Sequence, residues 1–333
     1  MITRRSISLA GGIVVLASLG FPAYPDDSFW KIGYIGISPI GSPEGERVFD
    51  SFLIGLSQDG FVEGKNIAVE RRSINGDPDR SPQVVADLIG RGVNVLVVSG
   101  TATTRAAKEA TNTIPIVTAS LSNPVASGLI SSLGRPGGNL TGVTNFDIDL
   151  NPKRLELLKS AVPGAARLLL IQDNRYIFDA RTASTINRNL NEAARSLGVR
   201  LLEVAVATRQ DMEQLNSLFG HEQVDGIVVG EIPAISLIHK ELSELALRHR
   251  LPMLAPVRFA ADDGVLLAYG PDLPELFRLA GGYVAKILNG AKPAELPMQQ
   301  PTKVELIVNL KTADAIGTPI SRQFLLRADA VIH

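Results

Sequence analysis

Hydroxyl groups cluster where this chain turns from strand to helix. Ser99-Gly100-Thr101-Ala102-Thr103-Thr104 follows the β-branched run Val93–Val98 and opens a helical stretch. One such residue suffices to cap a helix, whereas four hydroxyls beside the free N–H groups of a first turn suit a carboxylate or another polar ligand group. Ser99, Thr101 and Thr103 each fit a cap as well as a ligand contact; together with Gly100 and Ala102 they point to binding. Ser38-Pro39-Ile40 and Ala119-Ser120-Leu121-Ser122-Asn123-Pro124 end other strands on the same edge, adding Ser38, Ser120 and Asn123. In the second half, the equivalent edges hold Asp173, Asn174 and Tyr176, then Gly230 and Glu231, then Arg258. Glu231 has the charge to answer an ammonium, and Arg258 can grip a carboxylate with a bidentate pair. Each equally suits a salt bridge across a cleft. Tyr176, Phe259 and Tyr269 are flat apolar surfaces for a ring or alkyl chain, or simply packing groups.

Signatures of catalysis are scarce. The chain has no dinucleotide glycine fingerprint, P-loop, HExxH pair or Gly-x-Ser-x-Gly elbow. With 0 cysteines it has no disulfide, thiolate metal site or cysteine nucleophile. His221, His239, His249 and His333 fall on expected helices or at the terminus, where packing or surface roles are expected rather than catalysis or metal binding. Asp26-Asp27 and Asp262-Asp263 read as solvated turns. No catalytic residue, metal or cofactor is expected. A net charge of -1 with scattered Lys and Arg gives no footprint for nucleic acid or an anionic membrane.

The elements that must position these edges alternate along the chain. Strands are expected at Ile32–Ile37, Ile67–Glu70, Val93–Val98 and Ile114–Val117, with helices between them, one carrying Val48, Phe52 and Leu56. A helix is also expected from Pro124 to Leu133, before the loop Gly134–Asn139. Asn151-Pro152 predicts a helix opening, with asparagine as cap and proline in the first turn. Strands at Leu168–Ile171, Leu201–Val206, Gly226–Val229 and Met253–Ala255 then alternate with helices, one carrying Ile235, Ile238, Leu242 and Leu245. Two runs of βα units predict an α/β fold of two doubly wound lobes with mainly parallel sheets. Such sheets hold ligands at the carboxyl ends of their strands, so facing lobes make a cleft. The 333 residues suit two domains of ordinary size.

Ahead of these elements, Arg4 and Arg5 precede the apolar run Ile7–Leu19. That run is shorter than the ~20 residues a spanning helix needs, and fits the core of a secretory signal ending near Ala23. Thr3-Arg4-Arg5-Ser6-Ile7 also has the look of a twin-arginine signal. Without cysteine, lipid attachment is excluded. A free periplasmic protein is expected.

Several stretches carry a family resemblance: Lys31-Ile32-Gly33-Tyr34, Gly60–Ile67, Ser99–Thr104, Ile114–Val117, Gly128–Val143, Lys286–Gly290, Glu305–Ala313 and Arg327-Ala328-Asp329. From about Lys31 to Ile332 the chain resembles the ABC transporter substrate-binding proteins of the tryptophan-binding type, a branch of the type I periplasmic binding proteins. The resemblance implies two lobes joined by a three-strand hinge, with crossovers near Thr141–Asn145, Ala268–Pro271 and Pro301–Val304. One lobe would comprise residues 30–143 plus 271–300, the other 144–270 plus 301–333. It also implies closure around a small ligand held by the loop after the first strand, the Ser/Thr-rich loop, the Asn-Pro loop and the facing loops. An amino acid, aromatic acid or other small carboxylate is the expected ligand, and an ABC permease of the inner membrane the expected partner of a monomer. A ligand sensor for a membrane receptor and an enzyme on the same fold are the alternatives.

Overall fold

The computed structural model describes residues 29–145, 148–173, 180–206, 210–221, 223–230 and 235–333. The signal segment and the candidates Asn174, Tyr176 and Glu231 lie outside them. The first sheet grows from β1 (Trp30–Gly36), α1 (Pro43–Ser57), β2 (Ile67–Ser73), α2 (Ser81–Gly90), β3 (Val95–Ser99), α3 (Thr101–Ala110), β4 (Ile116–Leu121) and β5 (Leu140–Thr144). Its strand order is β2-β1-β3-β4-β5, all parallel. β3 and β4 are buried along their whole lengths, which is why they read as unbroken apolar or small-residue runs rather than alternating ones.

The second sheet follows from α4 (Asn151–Ala161), β6 (Arg167–Gln172), α5 (Ala180–Ser196), β7 (Arg200–Ala205), α6 (Asp211–His221), β8 (Gly226–Val229), α7 (Ile235–Arg248), β9 (Met253–Ala255), α8 (Arg258–Asp262) and β10 (Leu267–Pro271). The chain then returns to the first sheet as α9 (Leu273–Leu288), whose Leu276, Phe277, Ala280 and Val284 share a core with Phe49, Phe52 and Leu56 of α1. Gln299 pairs with Val143 beside β5 before the chain crosses again. It ends in β11 (Val304–Asn309), α10 (Leu310–Ile316), α11 (Arg322–Leu325) and β12 (Ala330–Ile332). The order is β12-β11-β10-β9-β8-β6-β7, with β10 and β11 the antiparallel pair. This is the expected α/β architecture of two mainly parallel sheets. Apolar clusters cover both faces of each sheet, which holds the central strands from two sides.

Two local expectations fail. Residues 124–133 form turns rather than a helix. One helical turn closes as Ser127 N–H donates to Asn123 O and Leu129 N–H to Pro124 O, but Gly128 at φ 69° turns the backbone left-handed and stops it. Asn151 is the first residue of α4, and its side chain accepts from Arg154 Nη1 at 2.8 Å instead of capping. That Arg154, fully buried, also donates through Nε to Tyr269 O at 3.0 Å, tying α4 to the strand where the chain leaves the second sheet.

Candidate functional site

A cavity of about 180 Å³ lies between the carboxyl ends of the two sheets. At 10–15 Å³ per water that is room for on the order of a dozen waters, the scale of a small metabolite. The first lobe contributes Tyr34, Ile37 and Ser38 from β1 and its loop, Glu44 and Arg47 from α1, and Ser99–Thr103 with Ser120. The second contributes Ile235 of α7 and Pro256–Phe259, and the crossing segment adds Pro271–Pro274.

The polar end is the start of α3. Gly100 holds φ 79° and ψ 161°, and no side chain caps the helix. A β-carbon there would be strained by the backbone and meet Ile37 at 3.2 Å, so glycine lets the chain turn while leaving the first N–H groups bare. Thr103 is occupied by Ser81, 3.1 Å away, and Thr104 donates to Gly100 O at 2.7 Å. Ser120 Oγ accepts from Asn145 Nδ2 at 2.9 Å. Ser99 and Thr101 are different: both are buried, yet their hydroxyls bond to nothing among the described residues. Bare N–H groups at the positive end of a helix dipole, with two unspent hydroxyls, make a seat for an anionic oxygen.

Charged side chains flank that seat. Arg47 forms no ion pair among the described residues. Arg71 is spent on Glu46 through two hydrogen bonds of 3.0 and 2.8 Å, and those bonds hold the Glu46 carboxyl below its ordinary value. Arg258 is half exposed and faces Glu305 at 3.5 Å, so it forms an ion pair within the second lobe. Asp272 also lines the cavity. Burial, and then the Glu305 charge, raise its pKa against the pull of the Glu275 N–H and Arg258. A cation from a ligand would relieve that cost. On the cavity's inner side, the Tyr34 hydroxyl is buried without a hydrogen-bond partner, and its ring packs on Phe49, Phe52 and Phe277. Burial pushes its pKa up, so it is a neutral phenol with a proton to donate.

Of the expected site residues, Ser38, Ser99, Gly100, Thr101, Ala102, Thr103, Ser120 and Arg258 line this cavity. Asn123, Asp173, Gly230 and Tyr269 do not. Asn123 sits at φ 44° and starts the turn that replaces the expected helix. Asp173 is buried at the end of β6, and Gly230 N–H bonds Ile171 O at the end of β8. Tyr269 shares strand parity with Leu267, so its ring joins the apolar cluster under α4 while Ala268 faces the opposite cluster. Tyr34, Arg47 and Asp272 were missed. The signals were weak: a tyrosine in the first strand, an arginine one turn into a helix, and an Asp-Leu-Pro helix start.

His239 is a packing histidine with two carboxylate neighbours that the sequence did not show. It is 4% exposed, packs edge-on against Phe259 with ring centroids 4.9 Å apart, and sits between Glu44 of the first lobe and Asp263 of the second. His249 packs against Phe219, as expected of a structural histidine.

The chain is 25% identical to a tyrosine-binding protein of Clostridioides difficile (strain R20291) over 85% of its own length and 80% of that protein's. It superimposes on the ABC domain from Streptococcus pneumonia in complex with L-Trp with a TM-score of 0.80 at 21% identity, covering 92% of this chain and 100% of the other. Against the ligand-free, open structure of a substrate binding protein with adhesive properties from Clostridium difficile the score is 0.62 at 24% identity, covering 91% and 99%. The model of the ABC transporter substrate binding protein family matches residues 37–332. The chain belongs to the ABC transporter substrate binding protein family.

Proposed function

We propose that this protein is a periplasmic solute receptor that delivers a small amino acid, or a related apolar carboxylate, to an ABC permease. Its lobes comprise residues 30–143 plus 271–300 and 144–270 plus 301–333, and it acts as a monomer. The ligand carboxylate sits on the bare start of α3, with Ser99 and Thr101 donating their hydroxyl protons and Arg47 nearby. The ammonium faces Asp272. Ile37, Ile235 and Phe259 cover the apolar part. Ligand bridging both lobes stabilises the closed arrangement by its differential affinity, and the permease reads that shape. No bond of the ligand is broken.

One observation carries this reading: the unspent hydroxyls of Ser99 and Thr101 and an uncapped helix start open into a cavity walled by both lobes. The tyrosine and tryptophan bound by similar proteins favour the same ligand class. No helix among the described residues is long and apolar enough to cross a membrane, which suits a receptor that hands its cargo to a separate permease. The test is a thermal-shift panel of amino acids, aromatic acids and aliphatic acids, confirmed by calorimetry. Stabilisation by apolar amino acids is expected. A response to sugars or nucleosides with none to any carboxylate would overturn it, and chemical alteration of the bound compound on long incubation would make the protein an enzyme.

A further inference from the structure

Beside the ligand cavity, three side chains from three elements converge on one point. Glu44 comes from the first turn of α1, His239 from the middle of α7, and Asp263 follows α8. One donor atom of each lies within 4.8 Å of the others. Glu44 Oε1 is 3.6 Å from His239 Nε2, and Asp263 Oδ2 is 3.0 Å from His239 Nδ1. The first contact is too long for a hydrogen bond. In the second, the oxygen is close but off the N–H direction, so Nδ1 is buried without a hydrogen bond.

Charge does not balance here. A neutral imidazole has one N–H and cannot donate to two carboxylates, so one carboxylate faces a ring lone pair. Among the described residues, the cation paired with this cluster is Lys240, 3.8 Å from Asp263 and largely exposed. Two ligands bound to one ion at about 2.0–2.2 Å stand roughly 3.0–3.6 Å apart at ordinary bond angles. One ion takes one ring nitrogen, so only the separation at that nitrogen is a ligand pair. The 3.6 Å between Glu44 Oε1 and His239 Nε2, which spans the two lobes, falls in that window, while Asp263 offers its carboxylate within 4.8 Å of the other two donors.

We propose that Glu44, His239 and Asp263 form a site for one divalent transition-metal cation, of the zinc or cobalt class, that ties the two lobes together beside the ligand cavity. The ring gives the ion one nitrogen, its remaining N–H goes to a carboxylate, and water completes the coordination. Imidazole with carboxylates selects such ions over magnesium or calcium. Since Glu44 belongs to one lobe and its partners to the other, only closed lobes assemble the site. Metal and organic ligand therefore tighten each other's binding by the same factor.

The test titrates Zn²⁺ by calorimetry and Co²⁺ by visible absorbance into tag-free, chelator-treated protein without organic ligand, which separates this inference from the proposed solute function. One equivalent should bind and compact the protein in X-ray scattering, and Glu44→Gln or His239→Gln should weaken binding by about tenfold or more. Absence of saturable binding, or binding unchanged in both variants, overturns the site. Loss in His239→Gln with none in Glu44→Gln overturns the bridge between lobes. Compaction driven by acid alone, with no response to metal, assigns the position to a proton instead. Should His239→Gln fail to fold, the partly exposed Glu44→Gln still decides.

Discussion

The two ends of α1 meet the rest of the molecule on opposite terms. Its C-terminal half lies almost backbone to backbone on α9: a β-carbon at Gly55 would stand 1.9 Å from Arg278 O, and one at Gly281 2.4 Å from Phe52 O. Its start faces the other lobe across the cavity, Glu44 approaching His239 and Arg47 edging the cavity. Close packing has no continuous give, so the α1–α9 seam makes the returning α9 part of the first lobe. Polar contacts at the other end separate by hydrating their partners. A single helix thus holds one lobe rigid and offers the second a contact it can leave.

The largest effect should come from the seam. Gly281→Ala places a methyl where the Phe52 carbonyl oxygen already stands, and neither backbone can yield without moving a whole helix. Overpacking of this kind costs about 1–3 kcal/mol, and more where backbone rather than side chain must move. A urea midpoint lowered to match, with ligand affinity of the folded fraction retained, is the expected outcome. An unchanged midpoint would mean that the seam is looser than its geometry, and the contrast within α1 would dissolve.

The cavity end predicts the reverse pattern. Thr101→Val and Ser99→Ala remove hydroxyls that bond to no protein group among the described residues. The unliganded protein should keep its melting temperature, because these hydroxyls open to the cavity and no protein hydrogen bond is lost with them. Affinity for a carboxylate ligand should fall about tenfold or more per substitution, since a hydrogen bond to a charged group contributes about 1.5–3 kcal/mol. Calorimetry on both variants checks this. Loss of stability with unchanged affinity would return both hydroxyls to a capping role.

Much of the fold and part of the cavity are legible in the sequence, and the exceptions have physical causes. Gly226–Val229 and Met253–Ala255 are strands over their expected lengths, because buried parallel strands need unbroken apolar runs. The Ser99–Thr103 junction was legible because a strand leading straight into a helix places its hydroxyls at a sheet edge. The 124–133 helix was misread because its apolar spacing outweighed one glycine that proves left-handed. His239, four residues after Ile235 and three before Leu242, lies on the buried stripe of α7, as a packing histidine should. Its partners, Glu44 and Asp263, come from distant parts of the chain, and no local pattern reports such a meeting. Asp272 was hidden in the same way, since its environment depends on Glu305 across an antiparallel pair.

Asp272 sharpens the comparison through pH. Its carboxyl keeps its proton to a higher pH in the folded protein than in the unfolded chain, where the pKa is about 3.9. The unfolded state therefore holds fewer protons in that window, and this group's contribution falls as pH rises from about 3.9 through the raised pKa. Asp272→Asn keeps a good capping residue and removes the cost of ionisation. Its melting temperature should match the parent below pH ~3.9 and exceed it above the raised pKa, while affinity for ligands carrying an ammonium falls. A variant less stable than the parent at neutral pH would show that the carboxylate supports the fold rather than waiting for a cation.

The smallest effect isolates backbone entropy from close approach on the same helix. Gly282 follows Gly281 in α9, yet a β-carbon there finds only Asp59 Oδ2, at 4.0 Å, and the backbone is ordinary helix. Gly282→Ala should raise stability by about 0.5–1 kcal/mol, because alanine loses less freedom on entering a helix. Adjacent glycines would then respond to the same methyl with opposite signs, one facing the α1 backbone and the other facing away. The urea midpoints of the two variants, measured side by side, decide it. If Gly282→Ala also destabilises, helix propensity and not the α1–α9 approach governs this segment, and the rigid half of the comparison loses its main support.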